Sequence, residues 1–231
     1  KQQIGSMTIE EKIGQMVIVG VDGYTIDNNT KTMIEKHHIG GIILFGRNVQ
    51  NAEQLLNLVN SLKIANSKNY IPLFISVDEE GGRVSRMPDE LIELPSNKVI
   101  GQINSEDLSY KIGSLLAEKI KAFGFNMNFA PVLDVNSNPQ NPVIGDRSFG
   151  SDKNVVSRLG IKTMAGLQAN YVIPVVKHFP GHGDTSVDSH IGLPFIGHDM
   201  TRLANLELVP FKKAIDNQAD AVMIAHILLN K

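Results

Sequence analysis

The sequence predicts an α/β fold and, within that class, a (β/α)8 barrel of the TIM type. Three observations carry this. Six continuous apolar runs recur along the chain with helical patterns between them, as expected of parallel strands buried on both faces. Polar residues cluster just past the strand ends, at Asp78, Asp134, Lys177–His178 and His226, and reactive residues at the C-terminal ends of several different strands are the barrel pattern. No Gly-rich dinucleotide fingerprint follows the first run, which argues against a doubly wound open sheet.

Each element has its own reason. Thr8 and Glu11 form a capping-box pattern that starts an N-terminal helix. MVIVGV, from Met16 to Val21, reads as the first strand. GGIILFG (Gly40 to Gly46) and IPLFISVD (Ile71 to Asp78) read as the second and third, with His37 and His38 at an ordinary helix end before the second. Leu108, Ile112, Leu115, Leu116, Ile120 and Phe123 recur at helical spacing, and Gly124 supplies a C-terminal cap. NFAPVLDV (Asn128 to Val135), YVIPVVKHF (Tyr171 to Phe179) and DAVMIAHI (Asp220 to Ile227) complete the strands. Val155, Leu159 and Leu167 mark one helix between them, and Leu206, Val209, Phe211 and Ile215 mark another. The stretches from Asp78 to Ser105 and from Asp134 to Ser151 are too long for plain connections and read as active-site loops.

This strand–helix succession accounts for about six βα units, against the eight of a closed barrel. The barrel therefore reads as incomplete at its C-terminus, with the last strands beyond this sequence. No linker and no repeat beyond the βα unit appear, so residues 1–231 read as one domain.

Composition narrows the function. With 42% hydrophobic and 20% charged residues the chain is an ordinary globular one. A net charge of −2 gives no electrostatic case for nucleic acid or an anionic membrane surface. No apolar stretch approaches the roughly 20 residues that span a bilayer, and no signal-peptide core is visible. The chain opens abruptly on KQQIGSMT, so the compartment stays open between cytoplasm and a secreted or wall-associated location. Cysteine is absent, which excludes thiol catalysis, disulfides and thiolate metal sites. Trp is absent too, so any sugar-stacking platform falls to Tyr or Phe.

The chemistry concentrates in KHFPGHGDTSVDSH, from Lys177 to His190. A solvated loop has no need for so many imidazoles, and a core cannot satisfy them without partners. His182, Asp184, Asp188 and His190 are possible metal ligands. The best-known metal barrels, however, place a His-x-His pair after the first strand, where this chain has VGVDGY; no metal and no organic cofactor are expected. The second chemistry is proton transfer by Asp188 and His190. A carboxylate two residues from an imidazole fixes its tautomer and favours the imidazolium, which can protonate a leaving group near neutral pH. The same pair could instead only hold the loop together.

The run KHFPGHGDTSVDSH resembles the signature of family 3 glycoside hydrolases, in the β-N-acetylglucosaminidase subgroup. SVDEEGGRVSR (Ser76 to Arg86), FAPVLDV (Phe129 to Val135), GDRSFG (Gly145 to Gly150) and AVMIAHI (Ala221 to Ile227) match the family in order and spacing. The resemblance implies release of terminal β-linked N-acetylglucosamine from peptidoglycan fragments or chitooligosaccharides, in wall recycling or turnover, by a retaining two-step mechanism. It implies that Asp78, Arg86, Arg147, Lys177 and His178 bind the sugar, and that His190 is the acid/base with Asp188 as its partner. The substrate is thus a small carbohydrate. The family's nucleophilic Asp sits in a Ser-Asp-Asp-like stretch after a later strand, and no such stretch occurs here. No nucleophile is assigned, and the polypeptide as it stands is expected to hydrolyse little or nothing.

Other residues read more plainly. Glu80 and Arg83 are expected to build an ion-paired turn around Gly81–Gly82, and His182 to shape its loop. Asp134 reads as a cap or as a group behind the site, and His226 as either a satisfied strand-end histidine or a site residue. Arg147, if not a sugar ligand, would pair with Asp146 or Asp152. Three rival functions remain: a phosphorylase of the same family, with phosphate as acceptor, a catalytically silent sugar-binding or scaffold domain, and a metal-dependent barrel hydrolase.

Overall fold

The structure, a computed structural model, describes residues 2–185 and 194–229. Asp188 and His190 lie outside the described residues. In chain order the elements are α1 (Gln2–Ser6), α2 (Ile9–Gln15), β1 (Ile18–Gly20), α3 (Asn28–Glu35), β2 (Gly41–Leu44), α4 (Ala52–Ala65) and β3 (Phe74–Val77). Then come α5 (Asn97–Ile103), α6 (Glu106–Lys121), β4 (Met127–Asn128), α7 (Lys153–Ala169) and β5 (Ile173–Phe179). β6 (Phe195–Ile196), α8 (Met200–Asn205), α9 (Leu208–Asp216), β7 (Ala221–Ile224) and β8 (Leu228–Leu229) follow. Among the described residues six strands form one parallel sheet in chain order, β1-β2-β3-β4-β5-β7. This is the strand succession of a (β/α)8 barrel with six of its eight strands. β6 and β8 form a small parallel pair of their own.

The chain divides into two compact units. The first comprises 1–78, 86–92 and 119–127; the second comprises 79–85, 93–118 and 128–231. In the first, β1 pairs with β2 and β2 with β3, Ile42 standing opposite Val19 and Ile75. Ile42, Leu44, Ile75 and Val77 are buried, as are Ile34, Leu55, Leu58 and Leu62 on the helices. Leu55, Leu58, Val59 and Leu62 recur at i, i+3, i+4 and i+7, the stripe an amphipathic helix turns inward. Thr8 caps α2 reciprocally with Glu11, as the sequence predicts. Asp27 and Asn51 accept from Thr30 and Gln54 to start α3 and α4.

In the second unit β5 pairs with β7, and Leu133, Met164, Val176, Phe211 and Ala214 form a buried cluster. Phe179 meets Phe211 edge to face, with ring centroids 5.5 Å apart. This arrangement is the favoured one for two aromatic quadrupoles.

Four local expectations change. β1 covers only three residues and is not buried on both faces: Ile18 is half exposed, and Met16 before it is largely exposed. The fourth strand shrinks to two residues, because Pro131 has no N–H for a ladder. Beyond it Phe129 to Val135 stay buried, and a single bridge joins Val132 to Lys177. The stretch after Asp78 is not all loop; it contains α5, with Ile100 buried. The helix marked by Leu206 to Ile215 is α9, which starts only at Leu208 and leaves Leu206 outside it, just past the end of α8. Pro210 lies in the first turn of α9, where a missing N–H costs nothing.

Candidate active site

The site grows from three segments of the second unit: the turn after β3, the loops after β4, and the end of β5. The turn is built by Gly81 and Gly82, both with positive φ. A side chain on Gly81 would meet the Pro95 carbonyl oxygen at 2.6 Å, so glycine is required there sterically as well. This turn aims Glu80 inward. On β5 the pairing with β7 shifts register between Val176 and Phe179, and such irregularities re-aim side chains. Lys177 and His178 consequently reach the same cluster.

Glu80 is its hub, with only 2% of its surface exposed. Glu80 Oε1 accepts from Lys177 Nζ at 2.6 Å and from Arg147 Nη2 at 2.7 Å. Glu80 Oε2 accepts from Arg147 Nε at 2.9 Å. Arg147 therefore grips the carboxylate with two nitrogens, the geometry guanidinium favours. Burial alone would raise the Glu80 carboxyl, but the two cations overcome it and lower it to about 2. The expected turn pairing of Glu80 with Arg83 does not form. Arg83 instead donates to Asp146 at 2.7 Å and to the Val143 carbonyl at 2.6 Å, so Asp146 is not the partner of Arg147.

Asp134 is fully buried and serves His178 and its neighbour. Its Oδ2 lies 2.6 Å from His178 Nδ1. Its Oδ1 accepts from the His182 backbone N–H at 2.7 Å and from that of His178 at 3.3 Å. Burial opposes ionisation of Asp134, yet His178 and the two N–H groups hold its carboxyl below the usual range. On the other ring edge, Arg147 Nη2 lies 3.3 Å from His178 Nε2. A guanidinium can only donate, so Nε2 accepts and the proton sits on Nδ1. The tautomer of His178 follows from its two neighbours.

Burial holds the His182 imidazole below its usual value. Its Nδ1 meets Thr185 Oγ1 at 2.6 Å, and its Nε2 has no partner among the described residues. Asn141 donates to the His182 carbonyl at 2.8 Å, which fixes the loop after β5.

Arg147, Lys177 and His178 thus stand together. Asp78 and Arg86 belong to the first unit, Asp78 just past β3, and both are half buried. His226 is exposed just beyond β7. Sequence reasoning missed the central role of Glu80 and left that of Asp134 open. Among the described residues no three His, Asp or Glu gather as a metal site, and no helix is long and apolar enough to cross a membrane.

The glycosyl hydrolase family 3 N-terminal domain matches residues 8–231. The chain belongs to this family. The family 3 chain is 41% identical over 210 residues to the β-hexosaminidase A of Pseudoalteromonas piscicida, covering 88% of this chain and 35% of that relative. A family 3 β-N-acetylglucosaminidase from Paenibacillus sp. str. FPU-7 superposes with a TM-score of 0.93 at 42% identity, over 97% of this chain and 43% of that one. NagZ of Neisseria gonorrhoeae, solved with N-trifluoroacetyl-D-glucosamine, superposes with a TM-score of 0.85 at 35% identity. There the coverage is 92% of this chain and 64% of the other. The family 3 chain therefore spans between about a third and two thirds of the length of these proteins.

Proposed function

We propose that the protein acts as a β-N-acetylhexosaminidase, releasing terminal β-linked N-acetylglucosamine from peptidoglycan fragments or chitooligosaccharides. The observation that carries this is the buried cluster of Glu80, Lys177, Arg147, His178 and Asp134. Its two cations balance its two carboxylates, so a neutral ligand meets no net charge. What it offers is direction: Lys177 and Arg147 are donors held in place by Glu80, and His178 is a ring held between Asp134 and Arg147. A sugar, which is neutral and rich in hydroxyls, suits fixed donors and acceptors of this kind. Relatives named β-hexosaminidase and a NagZ solved with a glucosamine derivative support the same substrate class.

In this reading Asp78 and Arg86 join Arg147, Lys177 and His178 in binding the sugar. His190, paired with Asp188, protonates the departing oxygen and then activates water. The nucleophile of the retaining reaction is not assigned to any residue of this sequence. Residues 1–231 belong to one glycosidase barrel domain.

The test is release of nitrophenol from 4-nitrophenyl N-acetyl-β-glucosaminide by the full-length protein, with and without phosphate. Turnover independent of phosphate is expected. Turnover only with phosphate would assign a phosphorylase, and none under either condition would leave a sugar-binding domain. His190→Ala should slow phenyl or alkyl glycosides on the order of 100-fold or more, while activated aryl glycosides slow much less, since only the former need an acid.

A further inference from the structure

Lys177 and Arg147 are side chains of the kind that build anion sites. A guanidinium grips an oxyanion with a planar fork, and an ammonium adds a point charge. Side by side they favour sulfate, phosphate or a carboxylate, whereas a neutral sugar calls for donors without net charge. Glu80 resolves the conflict from inside the protein. Its carboxylate accepts from Arg147 at two nitrogens, at 2.7 and 2.9 Å, and from Lys177 at 2.6 Å. It thus stands where an oxyanion ligand would otherwise bind.

Backbone bonds hold all three partners. The Lys177 N–H donates to the Pro131 carbonyl at 3.2 Å, and the Lys177 carbonyl accepts from the Leu133 N–H at 2.6 Å. In the glycine turn the Glu80 N–H donates to the Val84 carbonyl at 2.9 Å, and the Gly82 N–H to the Leu94 carbonyl at 2.8 Å. The Arg147 N–H donates to the Ile144 carbonyl at 2.8 Å, and Asn97 donates to the Arg147 carbonyl at 2.7 Å. The carboxylate and its two cations are therefore fixed before any ligand arrives. Glu80 and Lys177 are both buried, so solvent and salt screen their charges little. A change of one charge here is felt by whatever binds.

We propose that Glu80 determines ligand charge preference: as the internal counter-ion of Lys177 and Arg147, it makes the sugar-binding face select neutral ligands and reject anions. This rests on the reading that Lys177 and Arg147 bind the sugar. With Glu80 in place, an incoming anion must displace a carboxylate that is already bonded and already out of water. Without it, the two cations carry an excess of positive charge and draw an anion from solution. An ion pair that only stabilised the fold would affect melting and leave the order of ligand preference unchanged. One that sets the charge of the face reverses that order when it is removed.

The test uses the full-length protein, 4-nitrophenyl N-acetyl-β-glucosaminide, and sulfate set against chloride at equal ionic strength. Sulfate is the probe because phosphate could also serve as an acceptor. Wild type should respond to sulfate no more than to chloride. In Glu80→Gln sulfate should compete with the sugar, raising KM and sparing kcat. Its affinity should exceed that for wild type by about 10- to 100-fold, the factor a charge-assisted hydrogen bond carries. Glu80→Asp restores the carboxylate and should return sulfate binding toward the wild-type value. If Glu80→Gln is too unstable to assay, its melting decides: sulfate should raise its Tm more than that of wild type, relative to chloride. Equal sensitivity of wild type and Glu80→Gln, in kinetics or in melting, overturns the proposal. So does a Glu80→Asp variant that binds sulfate as tightly as Glu80→Gln. Lys177→Met and Arg147→Met separate the two levels of argument. If either raises KM for the sugar while Glu80→Gln gains no affinity for sulfate, the charge role is wrong and the sugar-binding reading stands. If neither raises KM, the reading and the proposal fall together.

Discussion

Replacing Glu80 by Gln tests the centre of the site with almost no change of shape. The substitution removes one negative charge from a residue that is 2% exposed, and with it the carboxylate that stands 2.6 Å from Nζ of Lys177, itself 1% exposed. Two lines of physical reasoning give the same size of effect. Lowering of the Glu80 carboxyl from 4.5 to about 2 means that the cluster favours the ionised form by about 3 kcal/mol. Removing one member of a buried ion pair costs about 3–5 kcal/mol, because the partner is left charged and dry. For a chain of this size that is a fall in Tm of about 6–20 °C at neutral pH. The pH dependence has a definite sign. The folded value lies below the unfolded one, so the stability is fully present above about 4.5 and is lost as pH falls toward about 2. Thermal or urea unfolding of wild type and Glu80→Gln at pH 7 and at pH 3 measures both terms. A difference under about 2 °C at pH 7, or one that does not shrink on acidification, would refute the account of Glu80 as a charged hub.

Three further outcomes follow from the same geometry. In Asp134→Asn the amide nitrogen meets His178 Nδ1, so the ring must carry its proton on Nε2 and turn an N–H toward Arg147. Imidazole nitrogen shifts should show the exchanged tautomer, with a stability loss of about 1–3 kcal/mol; an unchanged tautomer would contradict the assignment. Gly183→Ala places a methyl 1.8 Å from the Val135 carbonyl oxygen, a backbone clash that should cost about 3 kcal/mol or more. An unaltered melting curve would show that the loop adjusts freely. Thr8→Ala removes the hydroxyl that accepts from the Glu11 backbone N–H, one half of the capping box, and should cost about 1 kcal/mol without touching activity.

The fold was legible because strands and helices announce themselves by period, and this chain keeps its periods clean. Ile112, Leu116, Ile120 and Phe123 are spaced as a helix needs, and all four are buried in α6 or just past it. Legibility failed where a single residue vetoes what its neighbours suggest. NFAPVLDV has strand composition throughout, but Pro131 cannot donate, so the ladder stops after Asn128 and resumes only as one bridge. The exposure of Ile18 could not be read from composition at all, since an apolar run says what a residue tolerates and not what covers it.

The site shows the complementary limit. Lys177, His178 and Arg147 could be singled out because a Lys–His pair ending an apolar strand, and an arginine in a long loop, are costly unless used. Glu80 carried no such mark. It precedes two glycines and stands near Arg83, and the nearest cation in sequence is the cheapest guess for any acid. That guess treats a charge as choosing its partner by proximity along the chain. In the folded protein the choice is made by burial. Arg83 stays at the surface, where a pair with Asp146 gains little. Glu80 is drawn inside by the glycine turn, where only a cation equally deprived of water offsets its desolvation. Lys177 and Arg147 are such cations, one in a strand core and one held by its own loop. Pairing with a carboxylate far away in the chain is therefore what the buried lysine of KHFPGHG implies, once one asks which carboxylate must be buried with it. The turn DEEGGR, directly after a central strand, is the place in this sequence that can deliver one.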